Sequence, residues 1–537
     1  MATVVAMAFS LPAHSALELY VDTKTNQVYT SPGPGRHKLG EFEQVKPQEH
    51  HKEHRSSSTV SPSSKTGNLD LATTDQVKLV EDKLNARIDT VVNKPKKPNE
   101  AKTQIDGKGI RFETNDGAFK FSLNGRLHTD ADMFSGGDFV TYNDTNNSGK
   151  YDPQNKKDGG LINNTQTDGT EIRRFRMEFA GQFYDDWKFK MQPELANGGG
   201  NLTVGIRDAF INYTGFGDAG NFYVGQSKQP YSYQQMMSSN DMVFMERSTE
   251  YVFTNISVNR AIGLRYDVGK DWWGFSTGIF GDTATRQASG TTSTTAGDDE
   301  GWGAAARGTM APWYKSDEII HVGGSAAYRA PRTGDNAVRY SQAPTAISHF
   351  SYLDTGNLRN LRNMQFINGE LLGIYGPLSI ESEYNAVWIN GNDASTVING
   401  IGPAGSGYLQ GAHVDVAYSL TGESRATNYD PVQGVVKKFR PNHNLTFSEN
   451  GWGGWELKGR FMWLDMNQME NSWNQGGNQV ASTFGANWYF NDWARFMVDW
   501  THVYSLDVGK AGTNRTVLGN QNTGDWDYVQ ARVDLHY

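Results

Sequence analysis

From residue 118 to Tyr537, apolar and polar side chains alternate with a period of two. Phe119, Phe121, Leu123, Leu127 and Met133 interleave with Lys120, Ser122, Asn124, Arg126, His128 and Asp132. Phe175, Met177, Phe179 and Phe183 do so with Arg174, Arg176, Glu178 and Gln182, and Trp187, Phe189 and Met191 with Lys188, Lys190 and Gln192. The pattern returns late, with Trp455, Leu457, Phe461 and Trp463 against Glu456, Lys458 and Arg460, and in the closing run Val529, Ala531, Val533, Leu535 and Tyr537. A period of two sends successive side chains to opposite faces of a strand, so each segment has one apolar, aromatic-flanked face and one charged face. Two architectures share that signature: a soluble sandwich with the aromatics inside, and a membrane barrel with lipid outside and water within. The connections separate them. Short links at 184–186, 376–377 and 491–492 alternate with long polar ones at 135–169, 228–257, 282–300, 331–362, 421–452 and 505–526. Tight turns at one rim and long loops at the other are expected of a transmembrane barrel. A closing aromatic, Tyr537, within an alternating strand fits an outer-membrane assembly signal.

The alternation predicts sixteen strands, near 119–134, 171–183, 187–195, 203–214, 220–227, 258–266, 272–281, 301–313, 318–330, 363–375, 378–390, 406–420, 453–465, 478–490, 493–504 and 527–537. The expected fold is therefore all-β, a sixteen-stranded antiparallel barrel. An even count lets the ends meet and removes sheet edges, and sixteen strands leave a water-filled channel. Composition agrees. The mean hydropathy of −0.62 is what strands with a polar lumen face average to. No stretch approaches the roughly 20 apolar residues of a membrane-spanning helix. The chain has no cysteine, which removes thiol catalysis and Cys-ligated metal sites. A net charge of −9 without a long basic tract argues against a nucleic-acid partner.

Ahead of the barrel (118–537) the chain divides into smaller pieces. Residues 1–15, with the apolar run Val4–Leu11 and Ala13-His14-Ser15, read as a secretory signal cleaved before Ala16. Residues 16–72 read as a periplasmic hairpin around 22–26 followed by a disordered Pro/Ser/Lys/His linker. Within that linker Gln48-Glu49-His50-His51-Lys52-Glu53-His54 is a solvated polar tract that has ligands for Zn or Cu. Residues 73–94 read as a short helix, with Val77, Val80, Leu84, Ile88 and Val91 on one stripe. Too short to stand alone, it needs partners, as in a three-stranded coiled coil or by packing elsewhere. Residues 95–117 read as a second linker.

Several spaced segments resemble a known family. Phe119-Lys120-Phe121-Ser122-Leu123-Asn124-Gly125-Arg126-Leu127, the stretch from Arg173-Arg174 to Asp186-Trp187-Lys188, Tyr213-Thr214-Gly215-Phe216 and Val224-Gly225-Gln226-Ser227-Lys228-Gln229-Pro230 are followed in order by Met245-Glu246-Arg247, Tyr418-Ser419-Leu420-Thr421-Gly422-Glu423, Gly454-Trp455-Glu456-Leu457 and Asn487-Trp488-Tyr489. Together they resemble the phosphate-selective porins O and P of Gram-negative outer membranes, over about residues 108–537. The resemblance implies a homotrimer of sixteen-stranded barrels in lipid and lipopolysaccharide, with the third outer loop, here about 228–257, folded into the lumen. That loop holds Lys228, Asn240, Asp241, Glu246 and Arg247. Phosphate-specific members carry a lysine after the Ser-Ser of this loop; Asn240 stands there, and 384–410 contains no lysine or arginine. Phosphate specificity is therefore not expected.

Strand polarity nominates the lumen lining. Lys120, Arg126, Arg174, Arg176, Lys188 and Lys190 form a basic wall, joined later by Lys458 and Arg460, and Glu370, Glu381 and Glu383 form an acidic wall across the ring. Such a division would set up a transverse field that orients dipolar solutes where the pore is narrow. Asp144, Asn146, Ser148 and Asp152 follow the early spacing of a calcium loop, but Asn155 replaces its bidentate Glu, so the tract reads as a polar loop with weak cation potential. No nucleophile–base set stands out, so neither catalysis nor a cofactor is expected. The expected function is a passive porin for small hydrophilic, anionic or dipolar solutes. A different class of function, a surface or envelope-anchoring protein whose amino-terminal segment contacts periplasmic partners, fits the same architecture.

Overall fold

The computed structural model describes strands within 17–42, the helical residues Lys78, Asp82 and Lys83, and 101–537 apart from 107–108, 144–151, 153, 155–159, 197–203, 255–258, 284–299, 332–337, 349, 393–404, 448–450, 511–514 and 518–522. Two units result, 1–97 and 98–537. In the first, Leu17–Asp22 pairs antiparallel with Val28–Tyr29, the expected hairpin, and also with Arg36–Phe42. That third strand lies in the stretch read as linker. The signal segment, the His-rich tract, most of 73–94, and Asp144, Asn146 and Ser148 fall outside the described residues. Asp152 is exposed, and its carboxylate accepts the Gln154 N–H at 2.9 Å.

The second unit closes into a barrel. Its strands are β1 Phe119–Ser135, β2 Gly169–Phe183, β3 Trp187–Glu194, β4 Gly205–Tyr213, β5 Asn221–Lys228, β6 Arg260–Lys270, β7 Trp273–Phe280 and β8 Trp302–Tyr314. They continue as β9 Glu318–Ala330, β10 Leu361–Tyr375, β11 Leu378–Gly391, β12 Gly407–Ser419, β13 Gly454–Met469, β14 Gly477–Tyr489, β15 Ala494–Val508 and β16 Trp526–His536. Neighbours pair antiparallel in sequence order, and β16 returns to β1 in register from Asp527 opposite Ser135 to His536 opposite Arg126. All sixteen strands lie where the alternation places them.

Which face the aromatics take decides between sandwich and membrane barrel. Phe175, Ile279, Met310, Ile320, Leu371, Phe461, Phe484 and Val533 are exposed, whereas the inward Arg174, Arg307, His321, Glu370, Arg460, Thr483 and Arg532 are buried. This is the inverse of a soluble domain, and only lipid makes such an outer surface favourable. Tyr184, Trp187, Phe216, Trp272, Trp313, Tyr375, Tyr418 and Trp493 lie exposed at the short-turn rim, as an interfacial girdle requires. The turns there are tight. Tyr184 and Asp185 both have positive φ (50° and 57°), the left-handed pair whose twist suits a two-strand connection.

Two expectations need correction. Residues 95–117 are not simply a linker: Ala101–Asp106 and Gly109–Thr114 form a hairpin whose 110–113 pairs with 120–123 of β1, along the edge that β16 leaves uncovered below His536. The second concerns 421–452, read as a long outer loop. Alternating strand direction puts the connection after every even-numbered strand on the short-turn rim, and this one follows β12. It folds inward from that rim. Ala426, Tyr429, Val435 and Val436 pack against Ala311, Ile319, Leu372 and Ile374 of the wall and Tyr233, Met236, Met237 and Met242 of the β5–β6 loop.

From the opposite rim the β9–β10 connection also folds in. Val338, Tyr340, Tyr352, Leu353 and Leu358 join Met364, Phe366, Val387, Ile389, Leu409, Met462 and Leu464 in an apolar core inside one side of the barrel. The inward face of β10–β13 is thus apolar near the loops and carries Glu370, Glu383 and His413 farther along, with Leu372 and Ile374 apolar again beside the turn.

Candidate functional site

The β5–β6 connection, described over 229–254 and at Asn259, crosses the lumen and is held by side chains of the facing wall. At its start the Glu383 carboxylate of β11 accepts the N–H groups of Tyr233 (2.7 Å) and Gln234 (3.2 Å), two of the donors that the short helical turn Tyr233–Met236 leaves unsatisfied. Ser232 caps the same turn through Gln235 N–H at 3.1 Å. Further on, four wall cations donate to the loop's carbonyls: Arg495 to that of Met242 (2.7 Å), Lys458 to that of Val243 (3.0 Å), Arg532 to that of Met245, and Arg460 to that of Glu246 (2.9 Å). Each is also paired with a carboxylate, Asp534, Asp499, Asp130 and Asp415 respectively. Their charge is balanced within the wall, and their spare N–H groups anchor the loop. On the return, Glu250 and Ser248 meet His413 of β12, whose other ring nitrogen faces Glu381 at 2.9 Å.

Beside this loop lies a cavity of about 1150 Å³, lined from Phe189 and Tyr537 at the turn rim to 342–346 of the other infolded loop. Fourteen lysines and arginines line it against five carboxylates. Of the basic residues expected to face the lumen, Arg126, Arg174, Arg176, Lys188, Lys190 and Arg460 do line this cavity. So do Lys228, Asn240, Asp241, Glu246 and Arg247 of the loop. Lys120 does not; it stands at the turn rim, 3.7 Å from Glu113 of the hairpin. Lys458 is fully buried beneath the loop.

The acidic wall needs correcting. Glu370, Glu381 and Glu383 are absent from the cavity lining. The infolded segments cover them, and each is engaged: Glu370 by Arg307 (2.6 Å) and His321 (3.1 Å), Glu381 by His413, and Glu383 by the loop N–H groups and Asn368 (3.1 Å). No transverse field between opposed walls arises from them. Glu381, Glu383 and His413 offer ligand atoms close enough for a metal ion. Both ring nitrogens of His413 already face carboxylates and so act as donors, which leaves no lone pair for a cation.

Six basic lining residues escaped the strand reading: Arg173, Arg207, Arg260, Arg265, Lys437 and Lys438. In the β1–β2 pairing the register shifts, so that Arg174 opposes His128, Ile172 opposes Thr129, and Arg173 is the extra residue of a bulge. Both neighbours then reach the lumen. Arg207 and Asp208 line it together at a similar irregularity opposite 191–193. Arg265 was legible from strand parity, whereas Arg260, at the strand's first residue, shares the parity of the exposed Ile262 and Leu264 and was not; Lys437 and Lys438 lie on the connection assigned to the wrong rim.

Not every lining cation is cancelled. Arg126 hydrogen-bonds the Ser239 hydroxyl (2.7 Å), Lys228 the carbonyls of Met236 and Met237 (3.1 and 2.8 Å), and Arg247 those of Gln234 and Met237 (2.7 and 3.0 Å). These partners are neutral oxygens, so no salt bridge among the described residues cancels the guanidinium charges of Arg126 and Arg247, which line the lumen. Among the loop acids, burial raises Asp241 above the usual carboxylate range. Burial pushes Glu246 the same way, but the guanidiniums of Arg173, Arg174 and Arg532 outweigh it and hold the carboxyl well below that range.

A family model described as phosphate-selective porin O and P matches residues 144–526. Porin O of Pseudomonas aeruginosa is 24% identical over 416 residues, covering 72% of this chain and 83% of its own length. Among solved structures, the outer membrane channel DcaP of Acinetobacter baumannii is similar at 11% identity, with a TM-score of 0.41 over 79% of this chain and 99% of its own. An anion-selective porin from Comamonas acidovorans gives 11% identity and a TM-score of 0.41, over 78% and 100%.

Proposed function

Because the chain belongs to the phosphate-selective porin O and P family, it is a passive channel of the Gram-negative outer membrane, and we propose that it passes small hydrophilic anions in general rather than phosphate in particular. The observation that carries this reading is the cavity lining, where fourteen basic side chains outnumber five carboxylates and Arg126, Lys228 and Arg247 hydrogen-bond to neutral oxygens. Charge lining a narrow passage selects ions by sign, because over less than a Debye length, about 8 Å, screening is incomplete. Dipolar solutes have no special claim, since the acids that would have opposed the basic wall are covered. Against phosphate specificity stands Asn240, in the place of the lysine of phosphate-specific members. Assembly as a trimer belongs to the same reading and rests on family membership.

Arg126 and Lys188 test it without disturbing the loop's main anchors. Arg126→Gln with Lys188→Gln should lower the anion-to-cation permeability ratio by about twofold or more, with conductance otherwise retained. Zero-current potentials across a KCl gradient in planar bilayers measure this. An unaltered ratio would show that lining charge does not set selectivity.

A further inference from the structure

Two consecutive arginines of β2 and one of β16 converge on a single carboxylate of the constriction loop. Arg173 donates Nε and Nη2 to Glu246 at 3.0 and 3.2 Å, Arg174 donates Nη1 and Nη2 at 3.0 and 2.9 Å, and Arg532 donates Nη2 at 2.7 Å. Five N–H groups therefore surround two oxygens, the arrangement by which guanidinium forks recognise carboxylates and phosphates alike. The cluster opens to the lumen: the Glu246 side chain is 25% exposed and that of Arg173 30%. Locally the charges balance, since Arg532 also pairs with Asp130 (2.6 Å) and Arg173 lies 4.0 Å from Glu171. Without Glu246 the cluster would carry one net positive charge and a set of vacated donors.

We propose that Glu246 is a resident counter-anion: it fills an oxyanion-binding site made by Arg173, Arg174 and Arg532, and so keeps this part of the channel from retaining the anions that pass. The bulge at Arg173 is what makes the site, because it lets two successive side chains of one strand reach the same ligand. A solute oxyanion entering the site must displace a carboxylate that cannot diffuse away, since the Glu246 carbonyl is held by Arg460 at 2.9 Å. Permeation requires binding weak enough to be left again, and an internal competitor achieves that while the arginines stay in place. This inference rests on the anion-channel reading above and adds what sets its weak preference among anions.

The test is chloride current through the full-length protein in planar bilayers, titrated with inorganic phosphate. Glu246→Gln is expected to lower the phosphate concentration that halves the current at least tenfold relative to the unmodified channel. Adding Arg173→Gln to Glu246→Gln should reverse most of that gain. Unchanged phosphate block in Glu246→Gln, or a larger conductance with no tighter block, would overturn the proposal, because the carboxylate would then serve only to hold the loop. If Glu246→Gln does not assemble, Arg173→Gln alone decides: it leaves the competitor with one partner fewer, so the anion-to-cation ratio should fall and phosphate block should not tighten. Tighter block in Arg173→Gln would contradict the proposal. A cation-preferring unmodified channel would instead refute the anion reading itself, whatever the variants do.

Discussion

His413→Ala should detach the return arm of the constriction loop from the wall, raising single-channel conductance and destabilising the barrel by about 3–5 kcal/mol, the usual range for removing one partner of a buried ionic cluster. His413 is 1% exposed and its ring lies between Glu250 of the loop and Glu381 of β11, with the Ser248 hydroxyl at 3.1 Å. Without the ring, two buried carboxylates face each other with no cation between them. Like charges in a poorly hydrated site repel strongly, and the mobile partner is the loop. Gln234 would also lose its side-chain contact to His413 at 3.0 Å, which ties the first arm to β12. Single-channel recording together with urea unfolding in lipid vesicles checks both parts. Unchanged conductance and an unchanged unfolding midpoint would show that this cluster does not hold the loop.

Arg307→Ala is expected to produce an effect of similar size from the opposite rim. The Arg307 side chain is 2% exposed and pairs with Glu370 through Nε (3.1 Å) and Nη2 (2.6 Å), while it also donates to the carbonyls of Gln433 (2.6 Å) and Gly434 (3.0 Å). His321 completes the group, with Glu370 at 3.1 Å and the Tyr429 hydroxyl at 2.6 Å. One residue thus neutralises a buried acid and tethers the infolded 420–453 connection. Its loss should cost about 3–5 kcal/mol and expose that connection to protease added on the periplasmic side. Arg307→Met with Glu370→Leu separates the two roles. Replacing a buried pair by apolar groups is often neutral, so stability should recover while protease sensitivity persists. Protection in both variants would mean that the apolar contacts of Tyr429, Val435 and Val436 suffice to dock the segment.

The barrel was legible because its signal is local. Each strand carries its own two-residue period, and lipid on one side with water or polar loops on the other leaves no conflict for packing to resolve. What the sequence conceals is where the inward-facing residues find their partners. Lys458 and Arg460 alternate as faithfully as Arg126, yet they belong to the loop's mooring because segment 242–246 lies against them. Glu370, Glu381 and Glu383 were placed on the inward face correctly and assigned to the lumen wrongly, since nothing in their spacing reveals that chain from two rims covers them. A signal did exist for the infolding. Met364-Gln365-Phe366-Ile367, Val387-Trp388-Ile389 and Met462-Trp463-Leu464 are apolar on both faces, which a strand between lipid and open water would not be. The position of 421–452 was legible too, by counting strand parity. Arg173 was not, because a bulge inserts a residue without altering composition or length in any diagnostic way.

The central claim, that a basic lumen makes this porin an anion channel, is tested most directly by the zero-current potential of the unmodified protein in a planar bilayer separating two KCl concentrations. The lining predicts a potential whose sign corresponds to chloride crossing more readily than potassium, with the preference weakening as salt rises and screens the lumen charge. A potential of the opposite sign, or one indistinguishable from zero at low salt, would contradict it.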